Sequence, residues 1–351
     1  MTAIGKISLT RTYRSCPRCG EGGFPADAVL GIEGGFTRRA RRSICHVGID
    51  NSFDRGERTL RELSGWSVNA ETIRRICHAE ARTCRQSKTE RLDVATKFAA
   101  AEGHWELQID AGKVNTETGW RDVKVATFAV RTPGEPSTSV DFHTRDLPKP
   151  SARHVIAAIE PAEAFGPRCR TEAERVGLAD VEDLTILGDG AGWIWNLAAE
   201  HFTGAEETLD LYHATEYLGD LARAGYGGDT VAVEAWTDRA QRALVADGWA
   251  GVCQFVQEAK GESSDPAALE GAFPRVANYL AGHRDRMKYA ARLRRGVSVG
   301  SGMIEGAIKQ LVGRRIKQTG ARWKTAHIGP IVELISLGHT EDWDTYWSKT
   351  A

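Results

Sequence analysis

The stretch Leu184-Thr185-Ile186-Leu187-Gly188-Asp189-Gly190 decides the fold class of this 351-residue chain. Its apolar run has the length of a buried strand, and it ends at an aspartate between two glycines that indicate a turn. A stretch of helical character, Trp193 to Phe202, follows directly. A strand that ends at an acidic residue and leads into a helix is typical of a ligand site at the edge of an α/β sheet.

The neighbouring segments continue this pattern of strands and helices. Four of them have the length and apolar alternation of strands, namely Glu106 to Asp110, Val123 to Val130, Ser139 to His143 and Glu207 to Tyr212. The first two are predicted to pair antiparallel across a short link. Residues 151–176 are predicted to form a helix, and another helix is expected to begin near His213. Residues 229–295 contain no convincing strand and are predicted to be a helical insertion.

A last helix is predicted after the glycines of Gly300-Ser301-Gly302, from Met303 to about Gly320. The chain then divides into five parts. These are a cysteine-containing N-terminal segment (1–56), a helix-turn-helix-like DNA-binding region (57–100), the first part of an α/β core (101–228), the helical insertion (229–295) and the last part of the core (296–345).

Charge is distributed unevenly along the chain, although the formal net charge is only −1. Residues 284–328 hold 12 Lys and Arg against Asp285 and Glu305, a net charge of +10. Residues 1–104 hold 18 against 12 acidic residues, so the rest of the chain sums to −17. One basic run is usually a solvated helix face, but two basic segments that flank an acidic middle indicate a phosphate-binding surface.

The spacing of apolar residues predicts two helices at 57–64 and 69–82, separated by Gly65-Trp66. Asn69 is predicted to cap the second helix. This pattern is typical of a helix-turn-helix, and a plain helical hairpin is the alternative. The side chains that would face DNA are Thr72, Arg74 and Arg75.

Three acidic residues fall at or near the predicted ends of elements. Asp110 ends the first strand, Asp189 ends a later one, and Glu305 lies in the first or second turn of the last helix. Carboxylate oxygens are the ligands that Mg²⁺ prefers, and cutting a phosphodiester bond with two metals needs few carboxylates, provided that they converge. Because the chain has 47 acidic residues, spacing alone leaves coincidence open.

Five short motifs occur in the order found in one known family. They are Ile109-Asp110-Ala111-Gly112, Gly188-Asp189-Gly190-Ala191-Gly192-Trp193-Ile194-Trp195, Asp210-Leu211-Tyr212-His213, Gly300-Ser301-Gly302-Met303-Ile304-Glu305 and Gly320-Ala321-Arg322-Trp323. Together they resemble insertion-sequence transposases of the ISKra type, relatives of the Mutator-like DDE superfamily. That family more often has Gly directly after the first Asp, where this chain has Ala111. The interval of 116 residues between Asp189 and Glu305 is long enough to contain the insertion.

The resemblance implies an RNase H-like mixed sheet flanked by helices, in which Asp110, Asp189 and Glu305 hold two Mg²⁺ or Mn²⁺ ions. It implies hydrolysis at transposon ends, then attack of the freed 3′-hydroxyl on target DNA, by a homodimer bound to double-stranded DNA. Asp210 and His213 match the acidic-x-x-His signature of the family and are expected to support the site. The resemblance spans about residues 4–345 and begins abruptly, which raises the alternative that the chain lacks an N-terminal region.

Lys309 and the pair Cys16 and Cys19 each have two interpretations. Lys309 lies one helical turn beyond Glu305, where it would meet substrate phosphate or pair with Glu305. Cys16 and Cys19 have the spacing of half a zinc knuckle, completed by Cys45 with His46 or by Cys77 with His78, and a turn with two free thiols is the alternative. The basic residues expected to follow the DNA backbone are Arg314, Arg315 and Lys317.

The resemblance therefore implies a DNA transposase, which is expected to be cytoplasmic and associated with the nucleoid. Its longest apolar stretches are too short to span a bilayer, and residues 1–10 lack the apolar core of a signal peptide. The first alternative is a catalytically inactive or domesticated DNA-binding protein derived from such an element. The second is a structure-selective RNase H-like nuclease or a glycosidase that uses two carboxylates.

Overall fold

The computed structural model describes residues 1–86, 93–340 and 342–348. Its strands are β1 (Arg14–Ser15), β2 (Gly22–Gly23), β3 (Ile32–Glu33), β4 (Phe36–Thr37), β5 (His104–Thr116), β6 (Gly119–Arg131), β7 (Ala152–Ala158), β8 (Leu184–Gly188) and β9 (Glu206–Leu209). Its longer helices are α1 (Pro25–Val29), α2 (Arg38–Asp50), α3 (Phe53–Ser64), α4 (Ala70–Gln86), α5 (Asp93–Ala100), α6 (Ala162–Val176), α7 (Gly192–His201), α8 (Leu211–Tyr226), α9 (Thr230–Ala259), α10 (Pro266–Gly282), α11 (Tyr289–Arg294), α12 (Gly302–Ile308), α13 (Thr325–Gly338) and α14 (Asp342–Ser348). No described helix combines the length and the apolar run that a membrane crossing needs.

A five-stranded mixed sheet in the order β7-β6-β5-β8-β9 forms the centre, which confirms the predicted α/β class with a mixed sheet flanked by helices. β5 and β6 pair antiparallel from His104↔Arg131 to Thr116↔Gly119, as their alternation predicted. Both strands are longer than predicted. Asp110 therefore lies within β5 and not at its end, although the pairing of β5 with β8 extends only to Gln108.

The third strand lies elsewhere than predicted. Residues 139–143 contain no strand, and a short 3₁₀ turn occupies Phe142–Thr144. The predicted helix 151–176 is instead strand β7 followed by helix α6. Val155 of β7 packs on one face of the sheet and Ile156 on the other, so both faces are apolar and the period-2 alternation that marks a strand is absent.

The sheet separates two apolar layers. Helices α5 to α11 pack on one face, and α2 to α4 with α12 to α14 pack on the other. Residues 229–295 are helical as predicted, and α9 is kinked at Gly248. Trp236 of α9 is buried in the same apolar cluster as the sheet, so the insertion shares this core and does not form a separate one.

The longest helix of the N-terminal half that the sequence did not predict is α2. It spans 13 residues of the N-terminal segment 1–56, because Thr37 caps it and Ile44 and Cys45 lie on its buried side. Helices α3 and α4 confirm the predicted pair, and the Asn69 side chain accepts the backbone N–H of Thr72 at 2.8 Å. The predicted region 57–100 also includes residues 87–92, which lie outside the described residues.

The helix predicted from Met303 to Gly320 is shorter. It ends at Ile308, and a π-helical turn follows at Lys309–Gly313. The wider turn changes the helical register before Arg315, whose guanidinium enters the core and donates to the carbonyl of Gly48 at 3.0 Å. Arg315 is thus a core residue of this layer.

Candidate catalytic site

Three aspartates lie in one row at one edge of the sheet. β8 runs parallel to both β5 and β9, and Gln108 of β5 lies opposite Leu187 of β8. Two residues further along this register Asp110 lies beside Asp189, and Asp210 follows the end of β9 at the same level. The strands that carry Asp110 and Asp189 are thus parallel.

The Asp110 carboxyl is partly buried among negative charges. Burial, above all, raises the pKa of Asp110 to about 6, and the carboxylates of Asp189 and Asp210 act in the same direction. The backbone N–H of Ala111, which donates to Asp110 Oδ1 at 2.6 Å, and the His213 side chain oppose this shift. The row therefore carries negative charge that the protein compensates only in part.

Asp189 occupies a tight turn whose shape depends on Gly190. Its Oδ1 accepts the backbone N–H of Ala191 at 2.9 Å, and its main-chain carbonyl accepts the Tyr279 hydroxyl at 2.5 Å. Gly190 has φ +94°, and any Cβ there would collide with the Tyr279 hydroxyl. Only glycine fits this position, which leads the chain from the strand tip into α7.

Asp210 ties two helices together at the site. The residue is 2% exposed, and its Oδ1 accepts the backbone N–H of His213, which caps α8. Its Oδ2 accepts both the backbone N–H and the hydroxyl of Ser301, the residue before α12. Both oxygens are used within the protein, so Asp210 positions the start of α12. The His213 ring lies 3.3 Å from Glu216.

Helix α12 packs on the face of the sheet to which Asp110 points. Gln108 and Asp110 alternate onto the same face of β5, and Gln108 Oε1 accepts the backbone N–H of Ile304 at 3.1 Å. Glu305, the next residue, is thereby on this face, but its carboxylate is half-exposed and pairs with Lys309 at 3.2 Å. The ion pair that was the alternative for Lys309 is formed, and no hydrogen bond joins Glu305 to the aspartates in the described part of the chain.

The donor set fits a hard divalent cation. Asp110 and Asp189 each use Oδ1 for a backbone hydrogen bond, and the Oδ2 of each forms none with the described residues. Within those residues no three His, Cys, Asp or Glu side chains have the spacing of a complete ligand set. Mg²⁺ usually takes only one or two protein carboxylates and completes its shell with water and phosphate, so two free carboxylate oxygens suffice for a first ligand pair.

The residues predicted to contact DNA lie in two places, on α4 and after α12, and they differ in exposure. On α4, Arg75 is exposed and Thr72 is partly exposed, whereas Arg74 is tied to Glu71 at 2.9 Å and contacts His327. After α12, Arg314 and Lys317 are exposed.

Arg315 is buried, unlike the neighbouring Arg314 and Lys317. It is 3% exposed, and its guanidinium stacks on the rings of Phe53 and Trp323 at 4.8 and 5.0 Å from their centroids. Burial lowers the pKa of Arg315 to about 10. The prediction that Arg315 follows the DNA backbone is corrected, because its side chain is enclosed by protein.

The four cysteines considered for zinc form one exposed pair and one buried pair. Cys16 and Cys19 are exposed, in the turn between β1 and β2, and backbone hydrogen bonds lower the pKa of Cys16. Cys45 and Cys77 are buried against each other, which raises the pKa of Cys45. Among the described residues these cysteines belong to no group of three or more metal-ligating side chains, and zinc at Cys16 and Cys19 stays a prediction.

Sequence reasoning missed Gln108, Ser301 and Tyr279 as parts of the site. Tyr279 lies in α10, 90 residues from the Asp189 carbonyl that it binds, and stacks on Tyr217 at a centroid distance of 3.9 Å. A tyrosine within a helix of ordinary composition carries no local signal for such a contact.

No protein-family model matches the chain, and no curated protein matches it in sequence. What the site can do follows from its chemistry. A row of carboxylates on parallel strands, with a helix that carries a further carboxylate across the same face, is suited to bind a divalent cation and, through it, a phosphate.

Proposed function

We propose that this chain is a metal-dependent DNA transposase with an RNase H-like catalytic domain. One observation carries the proposal: Asp110 and Asp189 lie side by side on parallel strands, and α12 brings Glu305 onto the same face of the sheet. The order of the motifs around these three residues adds the resemblance to insertion-sequence transposases. The reaction is hydrolysis of a phosphodiester bond at a transposon end, followed by strand transfer.

The residues around the aspartates have separable roles. Asp110 and Asp189 would hold Mg²⁺ or Mn²⁺ through carboxylate oxygens, and the bound ions would supply activation of the attacking oxygen and stabilisation of the leaving oxygen. Tyr279 keeps the turn of Asp189 in place through its main-chain carbonyl. Asp210 keeps α12 against the sheet edge by holding Ser301.

Glu305 would complete the triad by leaving Lys309. Exposed ion pairs of this kind stabilise by about 0–1 kcal/mol, so little free energy would be needed to separate Glu305 from Lys309. The freed ammonium group of Lys309 is then available to the substrate phosphate.

The proposed partner is double-stranded DNA, bound by a homodimer. Helices α3 and α4 meet at the αL residue Gly65 and would serve as a helix-turn-helix, with exposed Arg75 and partly exposed Thr72 on α4. Exposed Arg314 and Lys317 extend the basic surface on the side of α12.

Metal-dependent cleavage tests the proposal. A supercoiled plasmid that carries the DNA flanking this coding sequence is incubated with the purified chain in Mg²⁺, in Mn²⁺ and in EDTA. Nicked or linear product is expected with either metal and is expected to be absent in EDTA. DNA binding without cleavage in any metal would contradict the catalytic function.

That contradicting result would favour the alternative, a catalytically inactive DNA-binding protein derived from such an element. The observation in its favour is the Glu305–Lys309 pair, which keeps the third carboxylate out of the aspartate row. Binding specificity for the flanking DNA would then remain.

DNA affinity is expected to fall steeply with salt, because contacts to backbone phosphates release bound counterions. A protein with about four such contacts loses roughly 10²-fold in affinity when salt rises about fourfold. Fluorescence anisotropy of a labelled duplex at several salt concentrations measures the slope. An affinity that does not change with salt would contradict a phosphate-binding surface.

A further inference from the structure

An open pocket of about 480 Å³ lies beside the candidate catalytic site, on the face of the sheet that α12 covers. Gln108, one of its lining residues, is two residues from Asp110 on the same face of β5, about 7 Å along the strand. Tyr212, another lining residue, lies between Asp210 and His213 in the chain. The pocket therefore adjoins the row of aspartates.

Cations line this pocket, and none of its lining residues is acidic. Its Arg and Lys side chains are Arg131, Arg145, Lys149 and Arg153. Burial lowers the pKa of Arg145 and of Arg153, and the positive charge of Arg131 acts in the same direction on both. The Arg131 guanidinium thus disfavours the positive charge of both Arg145 and Arg153.

The protein compensates these charges only in part. Arg131 is 7% exposed, its Nε has no hydrogen-bond partner among the described residues, and the buried carboxylate of Glu106 lies 3.7 Å from it. Arg145 and Arg153 donate to main-chain carbonyls, at 3.0 and 3.5 Å, which carry no net charge. Like charges that converge in a concave site are unfavourable unless an anion joins them.

We propose that this pocket binds one nucleotide unit within the cleaved DNA strand, by contacts to the backbone phosphates of that strand. The bound unit would lie next to the phosphate held at the aspartates. The proposal rests on the proposed function, because it takes the aspartate row as the place of the scissile bond. The pocket is open and has the volume of small-ligand sites, so a continuous strand can pass through it. Several cations along one wall suit a chain of phosphates better than a single anion.

The test compares two double variants with equal charge change. Lys149→Gln with Arg153→Gln removes two cations of the pocket. Arg170→Gln with Lys260→Gln is the control, because these cations pair with acids elsewhere, Arg170 with Asp180 and Lys260 with Glu270. Affinity for a labelled single-stranded oligonucleotide is measured by anisotropy in EDTA, with a mononucleotide and inorganic phosphate as competitors, and circular dichroism checks the fold.

The pocket variant is expected to bind the oligonucleotide at least about tenfold more weakly than wild type, with a smaller salt slope, whereas the control binds like wild type. Equal loss in both variants, or no loss in either, would overturn the proposal. So would competition by mononucleotide or phosphate as strong as by the oligonucleotide, because that indicates a small-anion site. Should the double variant misfold, Lys149→Glu alone is used with the same expectation.

Different results would contradict the pocket proposal and the proposed transposase function. Plasmid cleavage that is intact in wild type and equally intact in the pocket variant, with unchanged binding, contradicts the pocket and leaves the transposase function standing. Absent cleavage together with weakened binding of the pocket variant contradicts the catalytic function and leaves a strand-binding pocket.

Discussion

Replacement of Asp189 by Asn is expected to lower metal-dependent DNA nicking by roughly 10³-fold or more, because a divalent ion that stabilises both reacting oxygens contributes several kcal/mol to the rate. The amide keeps the size of the side chain and its oxygen can still accept the N–H of Ala191, so the turn is preserved. The loss is then due to charge and not to folding. Nicking of supercoiled plasmid in Mg²⁺ and Mn²⁺ measures it.

The matched control for Asp189→Asn is Asp180→Asn. Asp180 is an exposed carboxylate that pairs with Arg170 at 2.8 Å, and it lies before β8, at the opposite end of the strand from Asp189. Asp180→Asn is expected to nick DNA at the wild-type rate. Nicking by Asp189→Asn at the same rate, with circular dichroism matched to wild type, would remove Asp189 from the proposed site.

Replacement of Asp110 by Asn is expected to stabilise the fold while it abolishes nicking. The raised pKa of Asp110 means that the folded state holds its proton up to about pH 6, whereas the unfolded chain releases it near pH 4. The folded state is therefore destabilised by this carboxylate as pH rises through that window, and the effect stays constant above it. A shift of about two units corresponds to roughly 2–3 kcal/mol at pH 7 to 8.

Thermal unfolding at several pH values measures this effect. The Tm of Asp110→Asn is expected to exceed that of wild type by several degrees at pH 8, and the difference is expected to shrink as pH falls towards 4. Addition of Mg²⁺ is expected to raise the Tm of wild type, because a ligand that binds only the folded state stabilises it, and to have little effect on Asp110→Asn. A variant that is less stable than wild type at pH 8 would contradict the charged environment proposed for Asp110.

Much of the sheet could be predicted because its signals are local. Alternation predicted β5 and β6, and the apolar run before Asp189 predicted β8 and the turn into α7. β7 was mistaken for part of a helix because its two faces are both buried, so no polar residues mark a period. Helix α2 was missed because its many arginines obscure an apolar side that only becomes visible when α4 packs on it.

The carboxylates of the candidate site could be predicted, and the resemblance also named Asp210, but the contacts that hold these residues in place could not be predicted. Asp110 follows a stretch that alternates apolar and polar residues, and Asp189 follows an apolar run, and both patterns are visible in the sequence. The hydrogen bonds of Tyr279 to the Asp189 carbonyl and of Asp210 to Ser301 join residues about 90 positions apart. Such contacts depend on how helices pack and leave no pattern in the local sequence.

Thus the sequence by itself determined the strand, turn and helix around Asp189, since glycine conformations and apolar runs act over a few residues. Only the tertiary structure decided where charge collects. Arg315 belongs to the most basic segment and is buried, whereas Arg131 and Arg145 belong to the acidic middle of the chain and line a cationic pocket. Electrostatic interactions act through space over roughly 10 Å, and burial follows packing, so neither can be obtained from the order of charges along the chain.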